Sequence, residues 1–440
     1  MDDAGRYAAR YVVATEWCDL PEPVRLRAVM CSIDMFGALV AGSAAPVVQI
    51  GRRIAVRCFS GSEASILMSS DQVSLPGAAL ANGLAANALD IDDGHRMVKG
   101  HPGAVVFPAL LAVAEYRKVR LQDFLAALVA AYEIALRAGL TLQAHYAYYH
   151  SSGAWGAVGA AAGAAKLMGF EAQQVLQAMA IADFHAPMVP VMRSVRCPSM
   201  SKDGVGWGAM TGMLAVLMAA DGFVGGHSLF SCPEGHARVM DLGSVHEIMN
   251  IYFKSHACCR WAHPAIDAVV DLQRAHGLSP AEVAAIRIRT FAAAAALYRQ
   301  KPDSTEQAQY NMVYPVAAAM VAGRVGPGQI LGEGFHDPAV VAMMDRVAIC
   351  VDDRFEREFP ARRLCEVEIV LKNGGVRRSG IYSSDGDRDK PVSLGWITDK
   401  FHRLVGGLLS VARARELVAL LSAPEANPSV DRLIRLVTDA

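Results

Sequence analysis

The sequence predicts a mainly α-helical protein made of a large all-helical domain and a smaller α/β domain that contains an antiparallel sheet. The chain has 440 residues, which is too long for one ordinary hydrophobic core. Apolar residues recur with a helical period up to about residue 262, and short segments alternate with a period of two from about residue 275. We therefore place the all-helical domain at residues 1–270 and 395–440, and the α/β domain at residues 271–394.

The helical prediction rests on six segments in which apolar residues recur along a helical face, separated by short turns that contain Gly, Pro or Asp. These segments are residues 24–39, 78–89, 121–136, 153–168, 172–183 and 206–220. In the fourth segment, glycines recur at successive turns and are expected on one face, at Gly153, Gly156, Gly159 and Gly163. Because most other positions are alanine, neighbouring helices can approach this one closely, and we expect it at the centre of the domain.

The strand prediction rests on four segments with alternating polarity, which are residues 285–291, 347–351, 365–370 and 376–381. Between the last two, Asn373-Gly374-Gly375 is typical of a hairpin turn. Residues 304–322 and 338–344 show helical patterns between the strands. After Pro391 the pattern is helical again, and we expect this tail to pack back on the first domain.

The composition excludes several classes of function. Hydrophobic residues make up 53% of the chain and charged residues 19%, which favours a large buried volume and a buried subunit interface. The net charge is −1 and there is no basic stripe, so we expect no nucleic-acid partner. The N-terminus is acidic and lacks an apolar core, so a signal peptide is not expected. The nine cysteines form no CxxC pair, and reduced thiols in a cytosol are the simplest interpretation.

No membrane span is expected either. The longest stretch without Asp, Glu, Lys or Arg, residues 138–165, is interrupted by His145, His150 and two serines. The more apolar run at residues 204–220 is rich in glycine and shorter than the roughly 20 residues that a span requires. A buried helix is the better interpretation of both.

Two polar segments stand out within this apolar, alanine-rich sequence. The first runs from Leu89 to Gly103 and contains Asp90, Asp92, Asp93, His95 and His101, and the second begins at Tyr149-His150-Ser151-Ser152. Clustered Asp and His are costly to bury unless they are paired or used in chemistry, so the contrast indicates a polar site between helices.

The spacing of the aspartates predicts that one helix carries Asp90 and Asp93 on the same face, with Asp92 pointing elsewhere and Gly94 ending the helix. Aspartates at a helix C-terminus oppose the macrodipole, so stability does not explain them. The calcium-loop pattern fails because Gly94 falls one position early, and the aspartate-rich motif of terpene synthases would need an acid at Arg96. We expect no required metal.

The remaining polar residues allow two interpretations. His101 and His150 are about equally compatible with a structural and a catalytic role. Lys202 and Lys254 could be ordinary surface lysines. A last group of cations could clamp carboxylates through bidentate hydrogen bonds or could be solvated, and it comprises Arg193, Arg196 and Arg260.

Common cofactor and nucleophile motifs are absent from the sequence. It contains no GxxxxGK[ST] phosphate loop, no GxSxG elbow and no cysteine set for an iron–sulfur cluster, and its glycine-rich segment at residues 204–208 does not follow a strand. A cofactor-free site of Asp, His and Lys remains. Such a site suits proton abstraction next to a carboxylate, followed by elimination or re-protonation.

The chain resembles the MmgE/PrpD family, which includes 2-methylcitrate dehydratase, cis-aconitate decarboxylase and iminodisuccinate epimerase. Four segments carry the resemblance, namely LDIDDGH with HPG at residues 89–103, YHSSGAWGAVGAAAGAAKLMG at 149–169, MSKDGVGWGA at 200–209 with GFVGG at 222–226, and FKSHACCRWAHPAID at 253–267. A further stretch at residues 303–320 is also similar. The resemblance implies a large helical domain with a small α/β domain, usually in a homodimer.

The resemblance also implies the site residues. It implicates Asp90, His101, His150, Lys202 and Lys254, and His263 matches a recurring histidine of the family. We assign the first four as catalytic. The substrate-binding set comprises Asp93, Arg96, Ser151, Lys254, Arg260 and His263. Two departures fall in the pocket region: Gly94 stands where several members have Thr, and Ser151 stands where many have Pro.

We therefore expect a cytoplasmic, cofactor-independent lyase that dehydrates or decarboxylates a small di- or tricarboxylate. A Lys or His would take or return a proton next to a carboxylate, while cationic groups stabilise the developing charge. An epimerase of a dicarboxylate and a non-catalytic carboxylate-binding protein are the alternatives. The hypothesis predicts that Asp90, His101, His150 and Lys202 converge on one pocket, and that Lys202 is partly desolvated.

Overall fold

Helices form most of the protein, whose computed structural model describes residues 2–438, and the mainly α-helical prediction is confirmed. The helices of the N-terminal part are α1 Asp3–Ala14, α2 Glu22–Gly42, α3 Pro46–Cys58, α4 Leu75–Asn87, α5 Pro102–Tyr116, α6 Leu121–His145, α7 Ser152–Met168, α8 Ala172–His185, α9 Met192–Arg196, α10 Val205–Ala220 and α11 Pro233–Val239. The later helices are α12 His263–His276, α13 Ala292–Ala295, α14 Thr305–Gln309, α15 Val313–Ala322, α16 Pro327–Ile330, α17 Pro338–Met344, α18 Asp353–Glu356, α19 Leu394–Val405, α20 Val411–Ser422 and α21 Val430–Thr438.

The strands form two small pairs and one larger sheet. Strand β1 Ala64–Ser65 pairs with β2 Gln72–Val73, and β3 Gly94–His95 pairs with β4 Ile251–Tyr252. The four-stranded sheet has the order β6-β5-β7-β8, and its strands are β5 Val283–Thr290, β6 Val347–Val351, β7 Cys365–Leu371 and β8 Val376–Tyr382. All four strands overlap the predicted segments, and Gly374 takes a φ of 83° in the predicted hairpin turn.

One pair in this sheet differs from the predicted antiparallel arrangement. Strands β5 and β6 run parallel, with Ile288 opposite Ile349, whereas β5–β7 and β7–β8 are antiparallel. The chain passes through helices α13 to α17 between β5 and β6, and such a crossover returns it to the same end of the sheet. The sheet is therefore mixed.

Helix α7 lies at the centre of the helical part, as its small residues predict. A Cβ atom added at Gly159 would lie 2.5 Å from the Cβ of Ala135 on α6, and one added at Gly156 would lie 2.6 Å from Val105 on α5. Gly163 also faces α5 and α6, but Gly153 packs against the start of α10 instead. The glycines of α7 therefore allow close approach by α5, α6 and the start of α10.

We expect Gly159→Ala to lower the free energy of unfolding by about 1–3 kcal/mol, the usual cost of overpacking a core. The added methyl group would collide with the backbone oxygen of Ala131, which cannot move without shifting α6. Chemical denaturation of both proteins measures the difference. Gly226→Ala is the matched control, since a Cβ there meets nothing within 4 Å. Equal stability of the two variants would contradict the close packing of α6 on α7.

Two large apolar clusters and a small third one around Phe291 and Phe355 fill the interior of the described part. The largest one joins the helices of the N-terminal part with α19, α20 and α21, so the C-terminal tail packs on α2 and α5. The second one lies between α12, α15 and the four-stranded sheet, and it also includes Ile91 and Leu404. The exact domain boundaries at 270 and 395 stay a prediction, and residues 439 and 440 of the predicted helical domain lie outside the described part.

Helix α6 is the one single helix within residues 2–438 that is long and apolar enough to cross a membrane. Helices α2 and α3 would pass the same test only as a pair, and they meet at an angle of 91°. The most apolar window of α6 is 94% buried against neighbouring helices. Its apolar side chains therefore already have packing partners.

Candidate active site

The aspartate segment is a strained loop and not the end of a helix. Helix α4 ends at Asn87, and Asp90 adopts a φ of 52°, in the left-handed region that few side chains favour. The Asn87 side chain donates a hydrogen bond of 3.0 Å to Asp92 Oδ1, and the Asp90 N–H donates to the Asn87 carbonyl oxygen at 3.0 Å. The prediction of a shared helix face for Asp90 and Asp93 is therefore wrong, because these contacts turn the chain away from the helix axis.

His101 lies between two of these carboxylates. Its Nε2 is 3.1 Å from Asp90 Oδ1, and its Nδ1 is 2.9 Å from both Asp92 Oδ2 and the Asp93 carbonyl oxygen. The His101 backbone N–H donates to Ser152 Oγ at 3.0 Å, which fixes the residue just before helix α5. Asp92, which we expected to point elsewhere, is thus a direct neighbour of the imidazole.

Lys254 completes a buried network of charges around Asp90. Its Nζ lies 3.0 Å from Asp90 Oδ2, and both residues are 1% exposed. Burial opposes ionisation of each group, but the charges outweigh it. Lys254 and His101 hold the pKa of Asp90 well below its usual range, Asp90 raises the pKa of Lys254, and Asp92 with Asp90 raises the pKa of His101 well above its usual value. Both shifts favour the protonated imidazole and the protonated ammonium.

Asp93 lies behind this network and does not contact the pocket. Its Oδ1 accepts the Gly103 N–H at 3.0 Å and its Oδ2 accepts the Tyr132 hydroxyl at 2.6 Å. Burial, together with the negative charges of Asp34 and Asp92, raises the pKa of Asp93 to about 7. Its observed contacts anchor the loop to α5 and α6.

Lys202 reaches the base of the same loop from a different part of the chain. The residue is 6% exposed, with a φ of 37°, and its Nζ donates to the carbonyl oxygen of Asn87 and to Gln309 Oε1, the latter at 2.8 Å. The next residue, Asp203, lines the pocket and accepts the Tyr310 hydroxyl at 2.6 Å. The Lys202 side chain is thus desolvated, as expected, but it supports the pocket from behind.

His150 is buried beside the pocket and lacks polar partners. Its ring centre is 4.3 Å from that of Tyr148, and neither ring nitrogen has a hydrogen-bond partner among the described residues. Burial lowers its pKa, so the imidazole is neutral. Its side chain is not part of the pocket wall, although the adjacent Tyr149 is. Ser151 points away, and its hydroxyl donates to the Pro187 carbonyl oxygen at 3.0 Å.

A pocket opens in front of the Asp90–His101–Lys254 network and encloses about 670 Å³ including its mouth. Cationic side chains on its wall outnumber the carboxylates Asp90 and Asp203, and they are Arg96, Lys99, Lys254, Arg260 and Arg363. Such a surface is suited to small molecules with several negative charges.

Arg260 is a buried member of this cationic wall. It is 4% exposed, and its Nη2 donates to Asp387 Oδ2 at 3.0 Å and to the Asp385 carbonyl oxygen at 2.8 Å. His263 lies behind it, with Nδ1 3.3 Å from Arg260 Nη1. Burial and the Arg260 charge hold the pKa of His263 well below its usual value, so its neutral ring can accept from Arg260.

The other predicted cations differ in their positions. Arg96 is half-buried on the wall and pairs with Asp389 at 3.2 Å. Arg193 and Arg196, which we left open as carboxylate clamps, are exposed on α9 and absent from the wall.

Several residues of the pocket were not predicted from the sequence. Lys99, Asp203, Tyr310 and Arg363 line it, and Gln309 orients Lys202. Lys99 and Asp203 are one or two residues from predicted site residues, and this proximity was an available signal. Tyr310 falls in the stretch 303–320, which resembles the family but suggested no site residue. Arg363 lies in the α/β part, and no motif surrounds it.

The side chains of the pocket bear on two other kinds of chemistry, metal binding and nucleophilic attack by a cysteine. Ligand atoms of Asp90, His101 and Asp203 lie within 4.8 Å of one another and could approach one metal ion. However, the Lys254 ammonium lies 3.0 Å from Asp90 Oδ2 and would compete with a metal ion for this carboxylate. Cys259 also lines the pocket, but burial and the Asp90 charge raise the pKa of its thiol to about 12, which disfavours a thiolate nucleophile.

Comparisons with known proteins agree with the resemblance noted in the sequence. A model of the MmgE/PrpD N-terminal domain matches residues 6–248, and a model of the MmgE/PrpD C-terminal domain matches residues 256–423. The cis-aconitate decarboxylase-like protein oryM of Aspergillus oryzae is 24% identical over 96% of this chain and 94% of its own length. The cis-aconitate decarboxylase of Homo sapiens is 24% identical over 91% of this chain and 88% of its own, and that of Aspergillus terreus is 21% identical over 82% and 80%.

Proposed function

This chain belongs to the MmgE/PrpD family, and from that premise we propose that it is a cofactor-independent lyase that decarboxylates a small di- or tricarboxylate. One observation carries the proposal: His101 is held between the carboxylates of Asp90 and Asp92 at the wall of a pocket rich in cations. The names of the relatives, which are cis-aconitate decarboxylases, point to the same type of reaction.

The wall of the pocket suits the binding step. Lys99 and Arg363 form no ion pair among residues 2–438, and Lys254 forms an ion pair with Asp90. These groups can hold carboxylates through charge-assisted hydrogen bonds, which are stronger than hydrogen bonds between neutral groups. The Lys99 ammonium lies 3.7 Å from the centre of the Tyr149 ring, which keeps it at the pocket wall.

The geometry of His101 suits it as the proton donor. Its Nε2 lies at the pocket wall, 3.1 Å from Asp90 Oδ1, so a bound molecule beside Asp90 could receive the Nε2–H in its place. When the bond between a carboxylate and its neighbouring carbon breaks, CO2 leaves and the electron pair stays on the carbon as an enolate-like anion. His101 then transfers its proton to that carbon, and water re-protonates the imidazole. Lys254 would stabilise the transient charge.

A second candidate function rests on His150. Its neutral imidazole has two nitrogens without partners, so it could act as a base and remove a proton next to a carboxylate. With His101 as the acid, this pair could dehydrate a hydroxy acid or invert a stereocentre. The position of His150 behind the wall requires a local rearrangement, and we therefore place this candidate second.

Incubation with candidate di- and tricarboxylates in deuterated water, followed by NMR, tests the proposal. Loss of CO2 with one deuterium on the product supports decarboxylation. Loss of water supports a dehydratase, and exchange without net product supports an epimerase. If every acid remains unchanged while still binding, the protein is a carboxylate-binding relative and the proposed reaction is wrong.

We expect activity to survive the removal of divalent metal ions, because Asp90 already pairs with His101 and Lys254. The measurement compares turnover before and after treatment with EDTA and gel filtration. Loss of activity that a single divalent ion restores would contradict this prediction.

Lys202→Ala and His150→Ala are each expected to lower kcat about 10²-fold, the scale of lost acid–base assistance or lost loop support. For Lys202 the physical reason is that the Asn87 carbonyl oxygen and Gln309 lose their shared donor at the base of the loop. Steady-state kinetics measures both variants. His276→Ala and His402→Ala, outside the pocket wall, are the controls and should retain activity. Full turnover of Lys202→Ala would remove it from the site.

Assembly as a homodimer and a cytoplasmic location also belong to this proposal. They are supported by the sequence resemblance and by the apolar composition, and sedimentation analysis tests the first.

A further inference from the structure

Arg363 is a buried cation without an ionic partner. It is 8% exposed, its Nη1 atom is buried without a hydrogen-bond partner, and no ion pair joins it to any carboxylate among the described residues. Its guanidinium lies 4.6 Å from the centre of the Tyr252 ring, and both residues line the pocket. An unpaired charge is costly to bury, so this arrangement indicates that an anion completes the site.

The neighbouring carboxylates are already occupied. Asp387, whose pKa is lowered by the charges of Arg260 and Arg363, forms an ion pair of 3.0 Å with Arg260. Asp389 pairs with Arg96 at 3.2 Å. The positive charge at this end of the pocket therefore exceeds the negative charge that the protein supplies.

The Tyr252 ring that supports Arg363 depends on a residue of the aspartate segment. Tyr252 pairs with Gly94 across the small sheet, and a Cβ atom at Gly94 would collide with the tyrosine hydroxyl and lie 2.8 Å from Cε2. Only glycine leaves room for the ring at this position. Gly94, Tyr252 and Arg363 thus form one packed unit beside the Asp90 loop.

We propose that Arg363 is the binding site for a second carboxylate of the substrate, one that does not take part in bond breaking. The inference rests on the proposed function and assigns a residue to each end of its substrate: one carboxylate lies at the Asp90–His101–Lys254 network and another at Arg363. No hydrogen bond or ion pair among residues 2–438 joins Arg363 to that network, so the two groups can hold separate ends of one molecule.

Calorimetric titration with inert acids of matched shape tests this inference. The probes are glutarate and its monoamide glutaramate, with succinate and succinamate as a shorter pair. Within each pair the size is the same, but the amide lacks one charge. The wild-type protein should bind at least one diacid more tightly than its monoamide, by about tenfold or more, because a charge-assisted hydrogen bond contributes on this scale.

Arg363→Met should weaken binding of that diacid by about tenfold or more and change binding of the monoamide by less than about twofold. Arg363→Lys keeps the charge without the guanidinium fork, so it should weaken diacid binding less and also spare the monoamide. The matched control is Arg362→Met, because Arg362 is exposed and pairs with Glu358 on the surface at 3.7 Å. Thermal unfolding verifies that each variant is folded. If Arg363→Met does not fold, the binding of the diacid and the monoamide by Arg363→Lys tests the inference.

Equal effects of Arg363→Met on both members of a pair, or no effect on either, would overturn the inference while leaving the proposed function intact. If the wild-type protein binds none of the acids at millimolar concentration, the proposed function itself fails, and this assignment fails with it.

Discussion

His101→Gln is expected to lower kcat by about 10²- to 10⁴-fold, the range observed for the loss of a general acid. Glutamine can still donate a hydrogen bond, but it cannot transfer a proton to carbon. The imidazole lies between Asp90 at 3.1 Å and Asp92 at 2.9 Å, and these carboxylates keep it protonated. Substrate affinity should fall less than turnover, because Lys99, Lys254 and Arg363 remain in place.

The pH dependence of the wild-type enzyme provides a second measurement of the same role. Since the pKa of His101 is raised well above its usual value near 6.5, the acid form should persist beyond the pH at which an ordinary histidine deprotonates. The imidazolium also contributes to stability. That contribution is fully present below the pKa of the unfolded state and is lost as the pH rises through the raised pKa of the folded state.

Profiles of kcat and of unfolding free energy against pH test these expectations for wild type and His101→Gln. The variant should lack the part of the alkaline decline in stability that belongs to His101. His276→Gln is the control, because His276 is exposed on α12. Wild-type turnover by His101→Gln would show that the proton comes from another group.

Lys254→Met is expected to destabilise the protein by about 3–5 kcal/mol and to lower kcat/KM by about 10²-fold or more. The ammonium is 1% exposed and 3.0 Å from Asp90 Oδ2. Without it, Asp90 keeps only His101 as a close cationic partner, and the pocket loses the charge nearest to the proposed enolate-like intermediate. Denaturant unfolding and steady-state kinetics measure the two effects separately.

Lys118→Met is the matched control for stability. Lys118 also pairs with an aspartate, at 3.4 Å from Asp431, but its side chain is 71% exposed, and surface ion pairs contribute about 0–1 kcal/mol. In the double variant Lys254→Met/Asp90→Asn, the stability loss should be smaller than the sum of the two single losses, because no unpaired charge remains buried. Additive losses would mean that the two residues do not act as a pair.

Several features of this protein could be predicted from the sequence because they depend on neighbours along the chain. The helices and the strands β5, β7 and β8 follow from periodicity, and the hairpin follows from Asn373-Gly374-Gly375. The small residues of α7 predicted its central position. The family follows from motifs that keep their order along the chain, and it is confirmed by matches to both family models.

The same local reasoning failed where a tertiary contact decided the conformation. The spacing of Asp90 and Asp93 suggested a common helix face, but the contacts of Asn87 and the pairing of Asp90 with Lys254 hold that segment as a loop. Likewise, β6 joins β5 in parallel because of the helical crossover between them, which the strand pattern by itself does not reveal.

The sequence by itself therefore determined the fold class, the family and the segments that contain His101, Lys202 and Lys254. Only the tertiary structure decided that His101 lies between Asp90 and Asp92, that Asp93 and His263 support the pocket from behind, and that Arg363 belongs to its wall. The physical reason is that helix and strand patterns depend on residues close in sequence. Charge state, in contrast, depends on burial and on ionic partners that folding brings together from distant parts of the chain.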